Sequence, residues 1–314
     1  MNRREFILSA ASAALLPPAV AAAEKSAGVP VIDSHVHFYD PTRPEGVPWP
    51  PATDTLIYAP HLPEKFRAVS APFRVVGTVV VEASPWVEDN QWLLELARTT
   101  PEIVGIVGNL PLGRPEFAAL LRRFAANPLF RGIRVGPAAL KEIGRPAVAD
   151  DLSRLADAGL SLDVIGRGPI LEATRRIARD WPDLRIIINH LPFPEWDGDL
   201  GSLKSGLAEF SLRKNVFIKV SYVVRRVGNQ VVTDPAHYRP ALDALYDLFG
   251  PDRVVYASDW PASEHIAPYA TVHKIVAEYF AAKGQSAAEK YFWRNSFTAY
   301  RWIPRGPSAA LKPA

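Results

Sequence analysis

Residues 31–38 read VIDSHVHF, a short apolar run in which one aspartate and two histidines recur at every second position. Runs of this length that are rich in Val and Ile are typical of buried β-strands. Because the side chains of a strand point alternately to its two faces, Asp33, His35 and His37 are expected on one face. The stretch therefore predicts a strand that directs two imidazoles to the same side.

Similar runs recur along the chain and alternate with segments of helical periodicity. The eight candidate strands are Val29 to Phe38, Arg74 to Ala83, Ile103 to Leu110, Arg131 to Val135, Leu160 to Ile165, Arg185 to Leu191, Val216 to Val223 and Val254 to Ser258. The candidate helices are Gln91 to Arg98, Glu116 to Ala125, Ala147 to Ala158, Ile170 to Arg179, Leu203 to Leu212, Tyr238 to Phe249 and Tyr269 to Ala282.

This alternation determines the predicted fold class. Eight parallel strands with intervening helices form an α/β protein of the (β/α)8 TIM-barrel type, and 314 residues suit a single domain of that kind. The competing fold, an open doubly wound sheet, would use a GxGxxG phosphate turn after an early strand, and the sequence has no such motif.

Composition excludes several classes of function. The chain has 36 Lys and Arg against 33 Asp and Glu, a net charge of +3, and the basic residues form no long run. A nucleic-acid partner is therefore not expected. Because the chain has 0 cysteines, disulfides, thiolate metal sites and cysteine nucleophiles are excluded, and any metal must be held by His, Asp or Glu.

The N-terminal segment, residues 1–23, has the features of an export signal. Arg3-Arg4 precedes an apolar stretch from Ile7 to Leu16, and Ala21-Ala22-Ala23 offers a cleavage site. This arrangement predicts a twin-arginine signal, a mature barrel over residues 24–314 and a periplasmic or other extracytoplasmic location. An uncleaved anchor is the alternative, but the stretch is shorter than the ~20 residues that a span needs. No membrane span is expected in the mature chain.

Polar side chains follow several of the predicted strands. In a (β/α)8 barrel the active site forms at the C-terminal ends of the strands, so these side chains are expected at one rim. They are His35 and His37 at the first strand, Glu82 at the second, Arg134 at the fourth, Asn189 and His190 at the sixth and Asp259 at the eighth.

These residues carry a resemblance to a known family. The Asp-x-His-x-His pattern with His190 and Asp259 resembles the amidohydrolase superfamily. The blocks GTVVVEA (77–83), RGIR (131–134) and SDWP (258–261) are similar to those of its amidohydrolase-2 branch. The likeness extends from about residue 29 to residue 303. It implies hydrolysis of a lactone, as in the sugar-lactone hydrolases and the 2-pyrone-4,6-dicarboxylate lactonase of that branch.

Two departures from the branch fall at the predicted substrate mouth. LPFP follows His190, where the branch more often has Gly and Lys, and Tyr222 stands where Gly is common. The substrate, a lactone of a sugar acid or of a dicarboxylate, is therefore left open.

Lactone hydrolysis needs a base for water, a group that polarises the carbonyl and a proton donor for the leaving oxygen. Asp259 is the candidate base and proton carrier. His35, His37 and His190 are its candidate catalytic partners. The alternative role for Asp259 is to cap a helix that starts near Pro261.

His35, His37, His190 and Asp259 could together hold one divalent ion, and zinc or manganese would suit such nitrogen and oxygen ligands. The resemblance implies that members of the branch differ in whether they need a metal. No lysine ends the fourth strand, so the carbamate-bridged binuclear site of other branches is not expected. One ion or none is the prediction.

The substrate is expected to be a small molecule. Arg134, Arg225 and Arg226 are candidates for binding a carboxylate, although any single arginine can also serve on the surface. Glu82 would pair with Arg134 or bind sugar hydroxyls. The candidate pocket walls, each equally able to be ordinary packing, are Trp49, Tyr58, Tyr222, Trp260 and His265. His61, His237 and His273 are assigned to the surface or the core.

Two other functions use the same residues. A metal-dependent decarboxylase of the same superfamily would release carbon dioxide instead of a hydroxy acid. A non-catalytic extracytoplasmic binding protein would bind its ligand without turnover.

Overall fold

The computed structural model describes residues 28–166, 170–190 and 200–312. Eight parallel strands form one sheet, in which each strand pairs with the next along the chain. They are β1 (Val31–Val36), β2 (Val75–Val81), β3 (Ile103–Gly108), β4 (Phe130–Val135), β5 (Ser161–Val164), β6 (Arg185–Ile188), β7 (Val216–Val220) and β10 (Val254–Tyr256). The export signal predicted for residues 1–23, with its cleavage site, lies outside the described residues.

The first and last strands of the sheet meet and close the barrel. Val36 at the end of β1 bridges to Trp260, just beyond β10, in parallel orientation. The backbone N–H of His37 donates to the Trp260 carbonyl at 2.8 Å, and the N–H of Asp259 donates to the His35 carbonyl at 2.9 Å. Closure therefore brings the first-strand histidines beside Asp259, more than 200 residues later in the chain.

Helices cover the outside of the barrel. Each of the seven predicted helices is present. The helices of the described residues are α1 (Pro63–Ser70), α2 (Asp89–Thr99), α3 (Phe117–Ala125), α4 (Pro137–Leu140), α5 (Pro146–Asp157), α6 (Ile170–Asp180), α7 (Leu200–Ser211), α8 (Pro235–Phe249), α9 (Tyr269–Lys283), α10 (Gln285–Glu289) and α11 (Asn295–Tyr300). None of them is long and apolar enough to cross a membrane.

Burial explains why the strands are so apolar. All six residues of β3 and all five of β7 are buried, as expected of strands covered on both faces. The helices bury only one stripe, such as Phe117, Leu121 and Phe124 of α3, spaced by one turn. The single-domain (β/α)8 barrel predicted from the sequence is confirmed.

The C-terminal segment closes the lower end of the barrel, where the strands begin; the upper rim is the end at which they finish. The guanidinium of Arg131 donates to the Tyr300 carbonyl at 3.1 Å, and that of Arg185 donates to the Ala299 carbonyl at 2.8 Å. Both arginines lie at the start of barrel strands, so α11 packs beneath the barrel. The Tyr300 side chain is fully buried. Access to the interior is therefore from the upper rim.

Asp33 does not follow the predicted alternation. The pairing of β1 with β2 shifts register between Asp33 and Val36, which marks a bulge. The Asp33 carboxylate accepts hydrogen bonds from the Ser258 backbone N–H at 3.0 Å and the Tyr269 hydroxyl at 3.1 Å. Tyr269 belongs to the outer helix α9. The prediction that Asp33 shares a face with the histidines is wrong, because the bulge breaks the two-residue repeat.

A two-stranded hairpin, not predicted from the sequence, follows β7. It consists of β8 (Arg225–Val227) and β9 (Gln230–Val232), paired antiparallel. The two strands have three residues each, too few to stand out from a loop in the hydropathy pattern. Arg225 and Arg226 therefore belong to the hairpin and not to the end of a barrel strand.

Candidate active site

Three imidazoles and one carboxylate meet inside the upper rim of the barrel. The Nε2 atoms of His35, His37 and His190 lie 3.2, 3.3 and 3.4 Å from the same oxygen, Oδ1 of Asp259. All four residues are buried. The structure thus brings together every residue that the sequence proposed for catalysis or metal binding.

The backbone of the site is strained. His190, Tyr222 and Asp259 have φ angles of 61°, 55° and 58°, in the left-handed region that non-glycine residues seldom occupy. Each such residue costs of order 1–3 kcal/mol, and strain of this kind concentrates at functional sites. Glycine would adopt the Tyr222 conformation without this cost.

A second layer of hydrogen bonds orients the three imidazoles. The Nδ1 atom of His37 lies 2.9 Å from the Val81 carbonyl oxygen, and that of His190 lies 2.7 Å from the Ser221 hydroxyl. The Nδ1 atom of His35 lies 3.0 Å from the Lys219 Nζ. Because each Nδ1 is engaged away from the centre, all three Nε2 atoms face Asp259.

Lys219 belongs to a buried ion pair that the sequence analysis missed. Its Nζ lies 2.7 Å from Oδ2 of Asp163, and both side chains are fully buried. The Tyr300 hydroxyl donates to the same carboxylate, 3.0 Å from Oδ1 and 2.9 Å from Oδ2. This network lies between the closed end of the barrel and His35, so it supports the His35 side chain from that end.

The electrostatics favour an ionised Asp259 carboxylate beside neutral His35 and His190. Burial alone would raise the pKa of Asp259, but the adjacent His190 and His37 outweigh it and hold that pKa below its usual value. Burial lowers the pKa of His190 to about 4. Burial and then the charge of Lys219 hold the pKa of His35 well below its usual range. At neutral pH Asp259 can therefore accept a proton.

The donor set fits a divalent cation. His37 must donate its Nδ1 proton to the Val81 carbonyl, so its Nε2 presents a lone pair towards Asp259. Oδ1 of Asp259 is itself buried, and in the part of the chain that the structure describes its close neighbours are the three imidazole Nε2 atoms, none of them in good hydrogen-bond geometry. The lone pairs of His37 Nε2 and Asp259 Oδ1, 3.3 Å apart, can be held together by a cation between them or by the Nε2–H of His35, whose Nδ1 accepts from Lys219. One ligand atom each from His35, His37 and Asp259 lies within 4.8 Å of the others.

Metal content gives a direct test of this fit. We expect the purified protein, supplied with zinc or manganese, to hold about one equivalent, as mononuclear sites of this ligand type do. His37→Ala should lose the ion because it removes a lone pair directed at the centre. The control His237→Ala alters an exposed histidine and should keep it. Equal metal content in both variants would contradict a site at His37.

A cavity of about 440 Å³ opens above the cluster. Its polar lining consists of His37, Arg134, Asn189, His190, Tyr222 and Asp259, and its apolar lining includes Trp49, Ala83, Ile165 and Ala262. The Trp49 ring packs edge-on against His37 at 5.4 Å, and the Tyr222 ring packs edge-on against His190 at 5.3 Å. The cavity is large enough for a single sugar ring or a similar small molecule.

Arg134 and Glu82 form a pair at the cavity wall, as the sequence analysis anticipated. The Arg134 Nε donates to a carboxylate oxygen of Glu82 at 2.7 Å, and its Nη2 donates to the Glu82 carbonyl oxygen at 2.7 Å. The guanidinium is thus engaged by Glu82, and its charge is balanced by that carboxylate.

Several other predicted residues lie away from the cavity lining. Arg226 reaches the His265 carbonyl at 3.3 Å, while the backbone N–H of Arg225 donates to the Tyr238 hydroxyl at 2.9 Å. His265 pairs with Asp54 at 2.9 Å. The remaining two differ in environment: Tyr58 is exposed, and Trp260 is fully buried and packs against Phe66. His61, which the sequence assigns to the surface or the core, is buried and contacts the Ala59 carbonyl and Lys65.

The histidines assigned to the surface or core lie where expected: His237 is exposed and His273 is buried against Phe73 and Phe292. The capping role considered for Asp259 is not supported. The residue that caps the short helix at Ala262–His265 is Pro261, and no side chain caps that helix.

Comparison with known proteins places this geometry in a family. The Amidohydro_2 family model, described as amidohydrolase, matches residues 32–302. The L-fucono-1,5-lactonase of Burkholderia ambifaria is 30% identical over 236 residues, 74% of this chain and 80% of the relative. The L-fucono-1,5-lactonase of Burkholderia multivorans is 24% identical over 89% of this chain and 98% of its own length.

The fold is also similar to a solved structure. The crystal structure of an amidohydrolase from Burkholderia multivorans with bound zinc superimposes with a TM-score of 0.76 at 22% identity, covering 87% of this chain and 100% of that one. These matches agree with the His and Asp motifs from which the resemblance was first drawn. The chain belongs to the amidohydrolase family, in its amidohydrolase-2 branch.

Proposed function

We propose that the protein hydrolyses the lactone of a sugar acid, with Asp259 as the base that activates water. The observation that carries this proposal is the convergence of three imidazole Nε2 atoms, at 3.2–3.4 Å, on one ionised carboxylate oxygen beneath a cavity. The lactonase relatives support the reaction class, since an L-fucono-1,5-lactonase opens a cyclic sugar ester.

The mechanism follows from the geometry. A water molecule near Asp259 gives its proton to the carboxylate as its oxygen attacks the lactone carbonyl carbon. The carbon–oxygen bond of the ring then breaks, and the departing ring oxygen takes the proton back from Asp259. The product is an open-chain hydroxy acid, so one water molecule is consumed and no redox change occurs.

The histidines stabilise charge during the reaction. An N–H group aimed at the carbonyl oxygen would stabilise the oxyanion of the tetrahedral intermediate, in the way that preorganised donors do elsewhere. A divalent ion bound by His35, His37, His190 and Asp259 would supply Lewis-acid polarisation of the same oxygen, and zinc or manganese suits these ligands.

The charge of the cavity favours a neutral sugar lactone over a dicarboxylate. Among the described residues that line the cavity, the positive charge of Arg134 is already balanced by Glu82. A substrate with two carboxylates would therefore find no free arginine in the described lining, whether or not the cluster holds an ion. A polyhydroxylated ring carries no such penalty.

Export by the twin-arginine route forms part of the proposal. It rests on Arg3-Arg4 and the alanine-rich segment that follows.

Acid release tests the proposal. We expect aldono-1,5-lactones to be opened with a kcat/KM at least tenfold above that for an aromatic-derived dicarboxylate lactone, because only the latter carries two negative charges into the cavity. Carbon dioxide is measured in parallel with hydroxybenzoates. Its release without acid formation from any lactone would favour a decarboxylase, and lactone binding without turnover would favour a binding protein.

A further inference from the structure

We propose that Asn189 is a specificity-determining residue that binds a ring hydroxyl of the substrate. This inference rests on the proposed function and narrows its substrate class to lactones with a free hydroxyl on the ring. Asn189 directly follows β6 and precedes His190, and it lines the same cavity as Asp259.

The backbone of Asn189 is fixed, whereas its amide has no partner. The backbone N–H donates to the Val164 carbonyl at 3.0 Å, which extends the pairing of β6 with β5 beyond the last strand residue. Both the side-chain Nδ2 and Oδ1 atoms are buried and have no hydrogen-bond partner within residues 28–166, 170–190 and 200–312. Buried polar atoms in native proteins are nearly always paired, so this amide is prepared for a group that arrives from outside.

The chemistry of the amide selects the ligand. One side of the amide offers N–H donors and the other a carbonyl acceptor. A hydroxyl both donates and accepts, so one hydroxyl, or two neighbouring hydroxyls, can satisfy both atoms. A carboxylate only accepts and would leave the Oδ1 atom unpaired.

The position of Asn189 matches this role. Because Asn189, His190 and Asp259 line one cavity, a hydroxyl held by the Asn189 amide would lie in the same cavity as the carbon that Asp259-activated water attacks. The interaction would orient the lactone ring and thereby set which face of the carbonyl meets the water. Asn189 is in this sense a binding residue and takes no part in proton transfer.

Asn189→Leu tests the inference, because leucine has a similar size and lacks both polar atoms. We compare hydrolysis of L-fucono-1,5-lactone with that of δ-valerolactone, which has no ring hydroxyl. The kcat/KM for the sugar lactone should fall roughly 10–100-fold, while that for δ-valerolactone should stay within about threefold. Equal losses on both lactones would overturn the inference.

The melting temperature separates binding from structure. Since the amide has no partner among the described residues, Asn189→Leu should melt at the parent temperature or above it. The control Asn215→Leu makes the same change where the amide donates to the carbonyls of Ala178, Trp181 and Leu184. That control should lower the melting temperature and affect both lactones alike.

Binding of a non-hydrolysable probe keeps the inference independent of turnover. The cyclic ether 1,5-anhydro-L-fucitol carries ring hydroxyls but no ester, and calorimetry measures its affinity. Weaker binding to Asn189→Leu than to the parent supports the role of Asn189, even if the parent opens no lactone and the proposed function fails. Equal binding to both proteins, or no binding to the parent, overturns it.

Discussion

Asp259→Asn should lower kcat by roughly 10²–10⁴-fold, the usual contribution of general-base catalysis to the rate, and change the KM only a few-fold. Asparagine keeps the size of the side chain but cannot take a proton from water. It also tolerates the left-handed backbone that Asp259 adopts, with φ 58°, so the fold should be intact. Initial rates of acid release, with metal content measured on the same sample, give the result.

Asp151→Asn is the matched control for this substitution. Asp151 is also a buried aspartate, but it accepts from the Gly113 backbone N–H at 2.8 Å and pairs with Arg154, away from the cavity. Its replacement should reduce stability and leave kcat within about twofold of the parent. Parent-like turnover in Asp259→Asn would remove Asp259 from the role of base.

The pH profile gives a second measure of the same group. A base must be ionised to act, and the pKa of Asp259 is held below its usual value, so activity should be full from about pH 5 upward. It should fall as the pH drops through the acid range, where His190, with its pKa lowered to about 4, also gains a proton. Because Asp259 and His190 interact, the apparent pKa of this fall in activity describes the two groups together.

The sequence could predict the residues whose roles follow from position on a strand. His35 and His37 share a face because of the two-residue repeat, and His190 and Asp259 follow because the ends of parallel strands meet at one rim. Asp33 shows the limit of this reasoning. The bulge in β1 that redirects its carboxylate depends on pairing with β2, which no local pattern reveals.

The supporting network could not be predicted in the same way. Lys219 and Asp163 stand in the middle of apolar strands, and only barrel closure brings them together across 56 residues. A lysine within the buried run VFIKV is nevertheless a signal, because an unpaired charge in such a strand is too costly to keep. The sequence does not show which residue neutralises that charge, and the structure identifies it as Asp163.

Lys219→Met should destabilise the protein by about 3–5 kcal/mol, since it leaves the Asp163 carboxylate buried without its cation. Lys219 and Asp163 are both fully buried at 2.7 Å, and Tyr300 can donate only one hydrogen to the remaining charge. For a chain of this size the loss corresponds to a fall of roughly 5–15 °C in melting temperature. A loss below about 1 kcal/mol would show that Asp163 gains a proton or water instead.

The double variant Lys219→Met with Asp163→Asn separates stability from catalysis. Removing both charges should recover most of the lost stability, because replacing a whole buried pair costs far less than removing one partner. The kcat should remain roughly 10–100-fold below that of the parent, because His35 loses the 3.0 Å contact with Lys219 that fixes its ring. Small displacements of a catalytic group are costly in a preorganised site. Recovery of both stability and kcat would show that Lys219 holds the barrel together without orienting His35. Recovery of stability alone would identify it as the residue through which the barrel interior positions the catalytic imidazole.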